Sequence, residues 1–333
     1  GNMEKQSFKA YVVEEQDGNY TGGVKTKQLE ELPEGDLLIK VYYSSLNYKD
    51  TLSASGNKGV TKNYPHTPGI DAVGMIVHTN NPDFKTGEEV IVTSYDLGMD
   101  TDGGFGQYIR VPASWAVRLP QNMSMKEAMI YGTAGLTAGM SVYRLTESVK
   151  PDDGKIVVSG ATGGVGSMSV AMLSKLGYTV TAITGKATAH EYLRKLGATE
   201  IIDRNEIGQA EKKPITKAQF AGAIDTVGGV ILENIIKSTA PMGVVTACGN
   251  VGSPKIELTV FPFILRGVTL IGIDSQNYPM HYRNKVWELL ADSWKPGHLN
   301  IITEEIILDQ LPEKINLMLQ GQVKGRVVIN MNE

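Results

Sequence analysis

The stretch GATGGVG at residues 160–166 constrains this chain more than any other seven residues in it. It follows the apolar run KIVVSG (155–160) and opens a segment in which Val165, Met168, Met172 and Leu176 recur at helical spacing before Gly177. Strand, glycine turn and helix in that order form the phosphate-binding end of a βαβ unit. The usual fingerprint is G-x-G-x-x-G, and its three positions here read Ala161, Gly163 and Gly166. Ala161 replaces only the tight-turn glycine, and Gly160 beside it can take up part of that role. Gly163 and Gly164 let the backbone approach a phosphate with no Cβ in the way, and free N–H groups at a helix start favour an anion. Gly166 permits close packing of helix on strand. The alternative is a tight strand–helix turn that binds nothing.

The surrounding pattern extends that unit. From about Met125, small and apolar residues recur at helical spacing, with Ser124 and Glu127 placed as a capping box. Strand-like YTVTAIT (178–184), EIIDR, GAIDTV (222–227), VVTACG (244–249) and VTLIGID (268–274) then alternate with helical stretches such as HEYLRKLGA. Such alternation predicts an α/β domain with a doubly wound parallel sheet, here over residues 126–275. Residues 1–125 read differently: LLIKVYYSSL, EVIVTSY and FGQYIRV are β-rich and bounded by turn residues, with one short helical turn near Asn47–Ser53. The tail, with EEIIL, LPEKINLMLQ and RVVIN, falls outside the six-strand count. It is expected to return to the first domain, making that domain discontinuous over 1–125 and 276–333. Gly1 and Asn2, before Met3, read as an added remnant outside the fold.

The end of the second strand chooses the nucleotide. A site for NAD places an acid there to bind the ribose 2′-hydroxyl. This chain reads Thr184-Gly185-Lys186, with no acid until Glu191, and Arg204 just past the third strand adds a cation. A hydroxyl, a flexible backbone and two cations suit a 2′-phosphate, so NADPH is the expected cofactor. The alternative for Lys186 is a solvated surface lysine.

Other function classes fall away on composition. The net charge is −4 and no basic run stands out, so no nucleic-acid partner is expected. No apolar run reaches a membrane span, and GNMEKQSFKAY has no leader-like core, so a cytoplasmic protein is expected. Cys248 is the only cysteine, which forbids an intrachain disulfide and a four-thiolate zinc site. The five histidines are far apart in sequence without metal-ligand spacing, so no metal is expected.

Beyond composition and motif, the chain resembles the medium-chain dehydrogenase/reductase superfamily. LNYKD (46–50), TPGIDAVG (67–74), GGFGQY (103–108), GTAGLTA (132–138), IDTVGG (224–229) and GRVVI (325–329) carry the likeness along nearly the whole chain. Zinc alcohol dehydrogenases of that superfamily have a cysteine near the position of Asn47 and a histidine where Ile70 stands, so the resemblance is to the zinc-free branch. Within it, SSLNYKD, PGIDAVG, GTAGLTA, AIDTVGG and FILRG…GIDS resemble the YhdH/YhfP quinone oxidoreductase family, which includes acryloyl-CoA reductases.

The resemblance implies a GroES-like catalytic domain, a Rossmann domain, NADPH in the cleft between them, and a homodimer. Residue by residue it implies Tyr48 at the nicotinamide and substrate, and Thr162, Gly163, Gly164 and Val165 on the pyrophosphate. It puts Thr184, Gly185, Lys186 and Arg204 on the 2′-phosphate and Thr137 near the nicotinamide amide. Asn250, Ile264 and Ser275 line the remaining cofactor edge.

The implied reaction is hydride transfer to an activated C=C bond, such as that of an acryloyl-CoA-like enoyl thioester, or to a quinone. Charge then develops on a carbonyl oxygen and needs a donor. The Tyr48 phenol is the best-placed acid, with Asn47 as an amide partner. The alternative for Tyr48 is a packed ring that shapes the pocket while water supplies the proton. Asp71 reads as a residue that orients the backbone or Asn47, and Lys49–Asp50 as a possible ion pair. The rival functions are a quinone oxidoreductase proper and a non-catalytic NADPH-binding redox sensor. Apolar VTLIGID at a sheet edge invites pairing, so a two-fold dimer through residues 268–273 is expected.

Overall fold

Asp17 and Gly18 both take positive φ (52° and 80°) and turn the chain sharply between two ten-residue strands, β1 (Ser7–Gln16) and β2 (Asn19–Gln28). An Asp-Gly pair at positive φ matches the right-handed twist of the strands it joins. The hairpin is anchored by Tyr11 N–H on the Phe105 carbonyl and by Val13 N–H on that of His66, each at 2.8 Å. This computed structural model describes residues 6–332, and Gly1 and Asn2 lie outside them.

The described chain forms two compact units. One holds the residues up to Thr133 with those from Thr303 on; the other holds residues 134–302. In the first, β3 (Leu37–Leu46) is the central strand. It pairs antiparallel with β4 (Asp71–Thr79), with β6 (Tyr108–Val111) and with β15 (Arg326–Asn330). β5 (Glu89–Thr93) and β7 (Ala116–Arg118) extend the sheet on one side, and β14 (Thr303–Ile307) lies parallel to β15 on the other. Leu37, Ile39, Val41, Ile76, Phe105, Ile109, Val327 and Ile329 form its core.

In the second unit six strands are all parallel: β8 (Ile156–Val158), β9 (Val180–Thr184), β10 (Ala198–Asp203), β11 (Phe220–Asp225), β12 (Thr239–Ala247) and β13 (Thr269–Gly272). Their order is β10-β9-β8-β11-β12-β13, which reverses direction between β8 and β11. That is the doubly wound arrangement, and its switch point opens a crevice at the strands' carboxyl ends. Val157, Ile183, Ala223 and Val245, one per central strand, share a core with Leu232, Ile235 and Ile236 of the helix Gly229–Lys237.

The unit borders differ from those read in the sequence. Residues 276–302, expected with the first domain, pack within the second unit. The helix Met280–Ala291 buries Val286, Trp287 and Leu290, and an apolar face of that size needs a partner in its own unit. It finds the run after Gly132: a Cβ on Gly139 would come within 2.6 Å of Val286 Cγ1, and Tyr143 packs edge-on against Tyr282. Conversely, residues 126–133 belong to the first unit. The helical run Met125–Thr146 is interrupted at Gly132 (φ 53°, ψ −157°), one residue before that border. Among the described residues no helix is long and apolar enough to cross a membrane.

Candidate active site

Three segments of the first unit converge on one buried guanidinium. Arg326, the first residue of β15, is 2% exposed. Its Nε donates to the Ile130 carbonyl at 2.8 Å, and its Nη1 to the Leu46 carbonyl and to Asn47 Oδ1 at 3.3 and 3.2 Å. Nη2 lies 3.9 Å from Asp71 Oδ2. That oxygen also accepts from Ser45 Oγ at 2.9 Å and from Asn47 Nδ2 at 2.7 Å, while Oδ1 accepts from Thr133 Oγ1 at 2.5 Å. A second fully buried carboxyl, Asp50, accepts from Asn47 N at 2.8 Å and from Ile70 N at 2.9 Å. Gly132 completes the cluster, because a Cβ there would stand 2.5 Å from Asp71 Oδ2 and 2.7 Å from Arg326 Nη2.

Asn47 is the hub of this cluster and the N-cap of the helix Tyr48–Ala54. The sequence suggests it as an amide partner for the substrate. In the structure its Oδ1 is held by Arg326 and its Nδ2 by Asp71. What the cluster leaves open is the next residue, Tyr48, which begins the helix and is 46% exposed. Asp50 pairs with the backbone of Asn47 and Ile70. Arg326 and the buried role of Asp50 are what sequence reasoning misses here. The available signal is an arginine opening the otherwise apolar strand RVVIN, whose next three residues are all buried.

In the second unit Gly160 takes positive φ (57°) and makes the tight turn, while Ala161 is buried and donates its N–H to the Ile183 carbonyl. A Cβ on Gly166 would stand 2.1 Å from the Gly160 carbonyl oxygen, so the third glycine is needed for packing. Gly163 is the N-cap of the twelve-residue helix Gly164–Lys175. Thr162, Gly163, Gly164 and Val165 therefore lie together at the helix start, whose first N–H groups have no acceptor in the helix itself. At the end of β9, Thr184 Oγ1 accepts the Lys186 N–H at 3.0 Å. The Arg204 guanidinium lies over Gly185, its Cζ 2.9 Å from where a Cβ would be. The Thr184 hydroxyl, the Lys186 backbone and the Arg204 guanidinium thus meet around Gly185 at the end of β9.

Beyond the switch point, Ala247, Cys248, Gly249, Asn250, Gly272, Ile273 and Asp274 line a cavity of ≈ 550 Å³. Asn250 is in this wall and Ser275 follows it directly. Ile264 is not; it is 67% exposed on the helix Phe261–Arg266. Thr137 is buried in the helical run after Gly132. Asp225, also buried, accepts from Ser159 Oγ at 2.7 Å and Gly228 N at 2.8 Å and so ties the ends of β8 and β11 together. Burial pushes the Cys248 thiol up to about 12, with Asp225 adding to the shift, so no thiolate nucleophile forms there. Among the described residues no three His, Cys, Asp or Glu side chains group as a metal site.

Burial pushes the Asp50 carboxyl up to about 7, against its backbone hydrogen bond from Asn47, and the neighbouring Asp71 raises it further. Burial also holds Arg326 below its ordinary value, with Asp71 and Asp50 opposing. The folded chain therefore binds a proton at Asp50 more readily than the unfolded chain does. Between about pH 4 and 7 the folded state holds more protons, so stability falls as pH rises through that window and levels off above it. The slope for one proton is at most about 1.4 kcal/mol per pH unit. Urea unfolding across this range is expected to show a component of that sign which is missing in Asp50→Asn; equal slopes in both proteins would contradict it.

Two family models match the chain. One, described as alcohol dehydrogenase GroES-like domain, covers residues 33–121, and one described as zinc-binding dehydrogenase covers residues 164–292. The chain is 44% identical to the putative quinone oxidoreductase YhfP of Bacillus subtilis, over 97% of this chain and 99% of that protein. It is 38% identical to the acrylyl-CoA reductase AcuI of Ruegeria pomeroyi, over 98% and 99%. The solved yhdH oxidoreductase of Salmonella enterica, in complex with NADP, superposes with a TM-score of 0.95 at 39% identity, over 97% of this chain and 100% of that one. The solved Bacillus subtilis yhfP, with NAD bound, gives 0.95 at 44%, over 98% and 100%. The chain belongs to the medium-chain dehydrogenase/reductase family, among its YhfP- and AcuI-type oxidoreductases.

Proposed function

We propose that this oxidoreductase binds NADPH and reduces the C=C bond of an enoyl thioester of the acrylyl-CoA type. The observation that carries this reading is the likeness to AcuI over almost the whole of both chains, joined to the cations at the end of β9. Relatives at similar identity hold NADP in one structure and NAD in another, so the chain's own residues must decide. Arg204 over Gly185 beside Lys186, with no acid at that position, suits a 2′-phosphate and leaves a 2′-hydroxyl without its carboxylate partner. The helix start at Gly163–Val165 suits the pyrophosphate.

The cofactor, when bound, supplies the hydride that adds to the β-carbon of the acceptor. The protein's part is to receive the charge that develops on the thioester carbonyl oxygen. We assign that part to the Tyr48 phenol, as hydrogen-bond donor and acid. Asn47 becomes a positioning residue: it caps the helix that Tyr48 opens and is itself held by Asp71 and Arg326. The enolate then takes the Tyr48 hydroxyl proton at its α-carbon to give the saturated thioester, and water returns a proton to the phenolate. A second reading, quinone reduction, is favoured by the likeness to YhfP. The single cysteine, Cys248, suits work in a reducing cytosol.

We further infer a homodimer. β13 is the edge strand of the six-stranded sheet, and Leu270 on it is exposed, as are Val260, Phe261, Ile264 and Leu265 nearby in sequence. An apolar edge of this kind pairs readily with a second copy. Sedimentation of the chain at micromolar concentration is expected to give twice its mass, and a Leu270→Lys chain the single mass. A wild-type monomer contradicts the dimer.

Turnover decides the reaction. Oxidation of NADPH is expected with acrylyl-CoA and to be much slower with a simple enone, a quinone, or NADH as donor. Quinone turnover alone would replace the thioester reading with the second one. Equal use of NADH would overturn the assignment of Thr184, Gly185, Lys186 and Arg204. Tight NADPH binding with no turnover of any acceptor would leave a redox sensor.

A further inference from the structure

One buried charge has no part in the site described above. Arg283, on the helix Met280–Ala291, is 1% exposed. Its Nε donates to the Tyr278 carbonyl at 3.1 Å, and its Nη2 to the carbonyls of Ser275 and Gln276, both at 2.8 Å. The same segment is turned from within by Asp274, whose Oδ1 accepts the N–H groups of Gln276 and Asn277 at 3.0 and 3.2 Å. Residues 274–278 are thereby gathered on one guanidinium. Burying a guanidinium is expensive unless its N–H groups are satisfied, and a forked donor can hold several carbonyls at once. An apolar or shorter side chain at this place leaves those carbonyls to find other donors.

This loop leaves the sheet beside the cavity. It continues from Gly272, Ile273 and Asp274, which with Ala247, Cys248, Gly249 and Asn250 form the cavity wall at the carboxyl ends of β12 and β13. Arg204 and Gly185, at β10 and β9, lie on the other side of the switch point between β8 and β11. A dinucleotide laid across a switch point places its two halves on opposite sides. With the phosphorylated adenosine half at β9 and β10, the nicotinamide half falls on the cavity side. This step rests on the NADPH reading above.

We propose that Arg283 is a positioning residue for the nicotinamide half of the cofactor. It holds residues 274–278 in the shape that receives the nicotinamide ring, and acts through their carbonyls without touching the cofactor.

The test measures the affinity of the wild type, Arg283→Lys and Arg283→Gln for two ligands, NADPH and 2′-phospho-ADP-ribose. The second has the adenosine half, its 2′-phosphate, the pyrophosphate and the second ribose, and lacks only the nicotinamide ring. A melting curve for each variant reports whether it folds, and the lysine variant keeps the charge without the fork. Both variants are expected to bind NADPH about tenfold more weakly, the loss of one to two hydrogen bonds' worth of loop order, and 2′-phospho-ADP-ribose within about twofold of wild type. Equal losses for both ligands would make Arg283 a general support of the fold and overturn the proposal. So would a lysine variant that binds NADPH as wild type does. Failure of the wild type to bind NADPH at all would overturn the cofactor reading itself, which separates the two claims.

Discussion

The first unit is organised by the need to satisfy Arg326. A guanidinium buried to 2% exposure is tolerable only if its N–H groups and its charge are answered. The answers come from far along the chain: the carbonyls of Leu46 and Ile130, the amide of Asn47 and the carboxylate of Asp71. Each answer fixes an element. Asp71 begins β4, Asn47 caps the helix after β3, and Ile130 lies in the helical turn that stops at Gly132. Arg326 itself begins β15, which explains why the tail from Thr303 must return to this unit. Asp50 adds a second carboxyl to a single cation, and its raised proton affinity keeps the buried charge near balance.

The second unit solves a different problem, presenting polar groups at the carboxyl ends of parallel strands. Gly160 supplies the turn and Gly166 the close contact, so neither task falls to Ala161. Asp225 then joins the ends of β8 and β11 through Ser159 and Gly228, at the switch point itself. The Arg204 guanidinium lies against the end of β9 on one side, and an open cavity stands at β12 and β13 on the other. Such polarity along one crevice matches a ligand whose two ends differ in charge.

What is legible in the sequence is local. The alternation of strand and helix, the glycine loop and the Ser124–Glu127 capping box depend on residues within a few positions of one another, and the two capping hydrogen bonds are present at 2.9 and 3.0 Å. The end of β9 at Thr184 and the turn at Gly185 and Lys186 are legible for the same reason. The residues that hold the candidate site together are not. Arg326 meets Asn47 across 279 positions and Asp71 meets Thr133 across 62, and neither separation leaves a periodic trace. Asn47 therefore stands out for its chemistry alone, because nothing in LNYKD tells that its amide meets Arg326 and Asp71. The border near 276 fails similarly: Gly139 against Val286 is a contact between helices that periodicity cannot pair.

In the proposed reaction the Arg326 cluster acts through Asn47, which caps the helix that Tyr48 opens. A double-mutant cycle on the single-turnover oxidation of bound NADPH by acrylyl-CoA tests that link most directly. Asn47→Ser keeps a capping side chain but loses the bridge to Arg326 and Asp71, and Tyr48→Phe removes only the hydroxyl. If Asn47 acts by placing that hydroxyl, the double variant is no slower than the slower single one. Losses that multiply would mean that Asn47 and Tyr48 act independently, and the cluster would have no hand in placing the phenol.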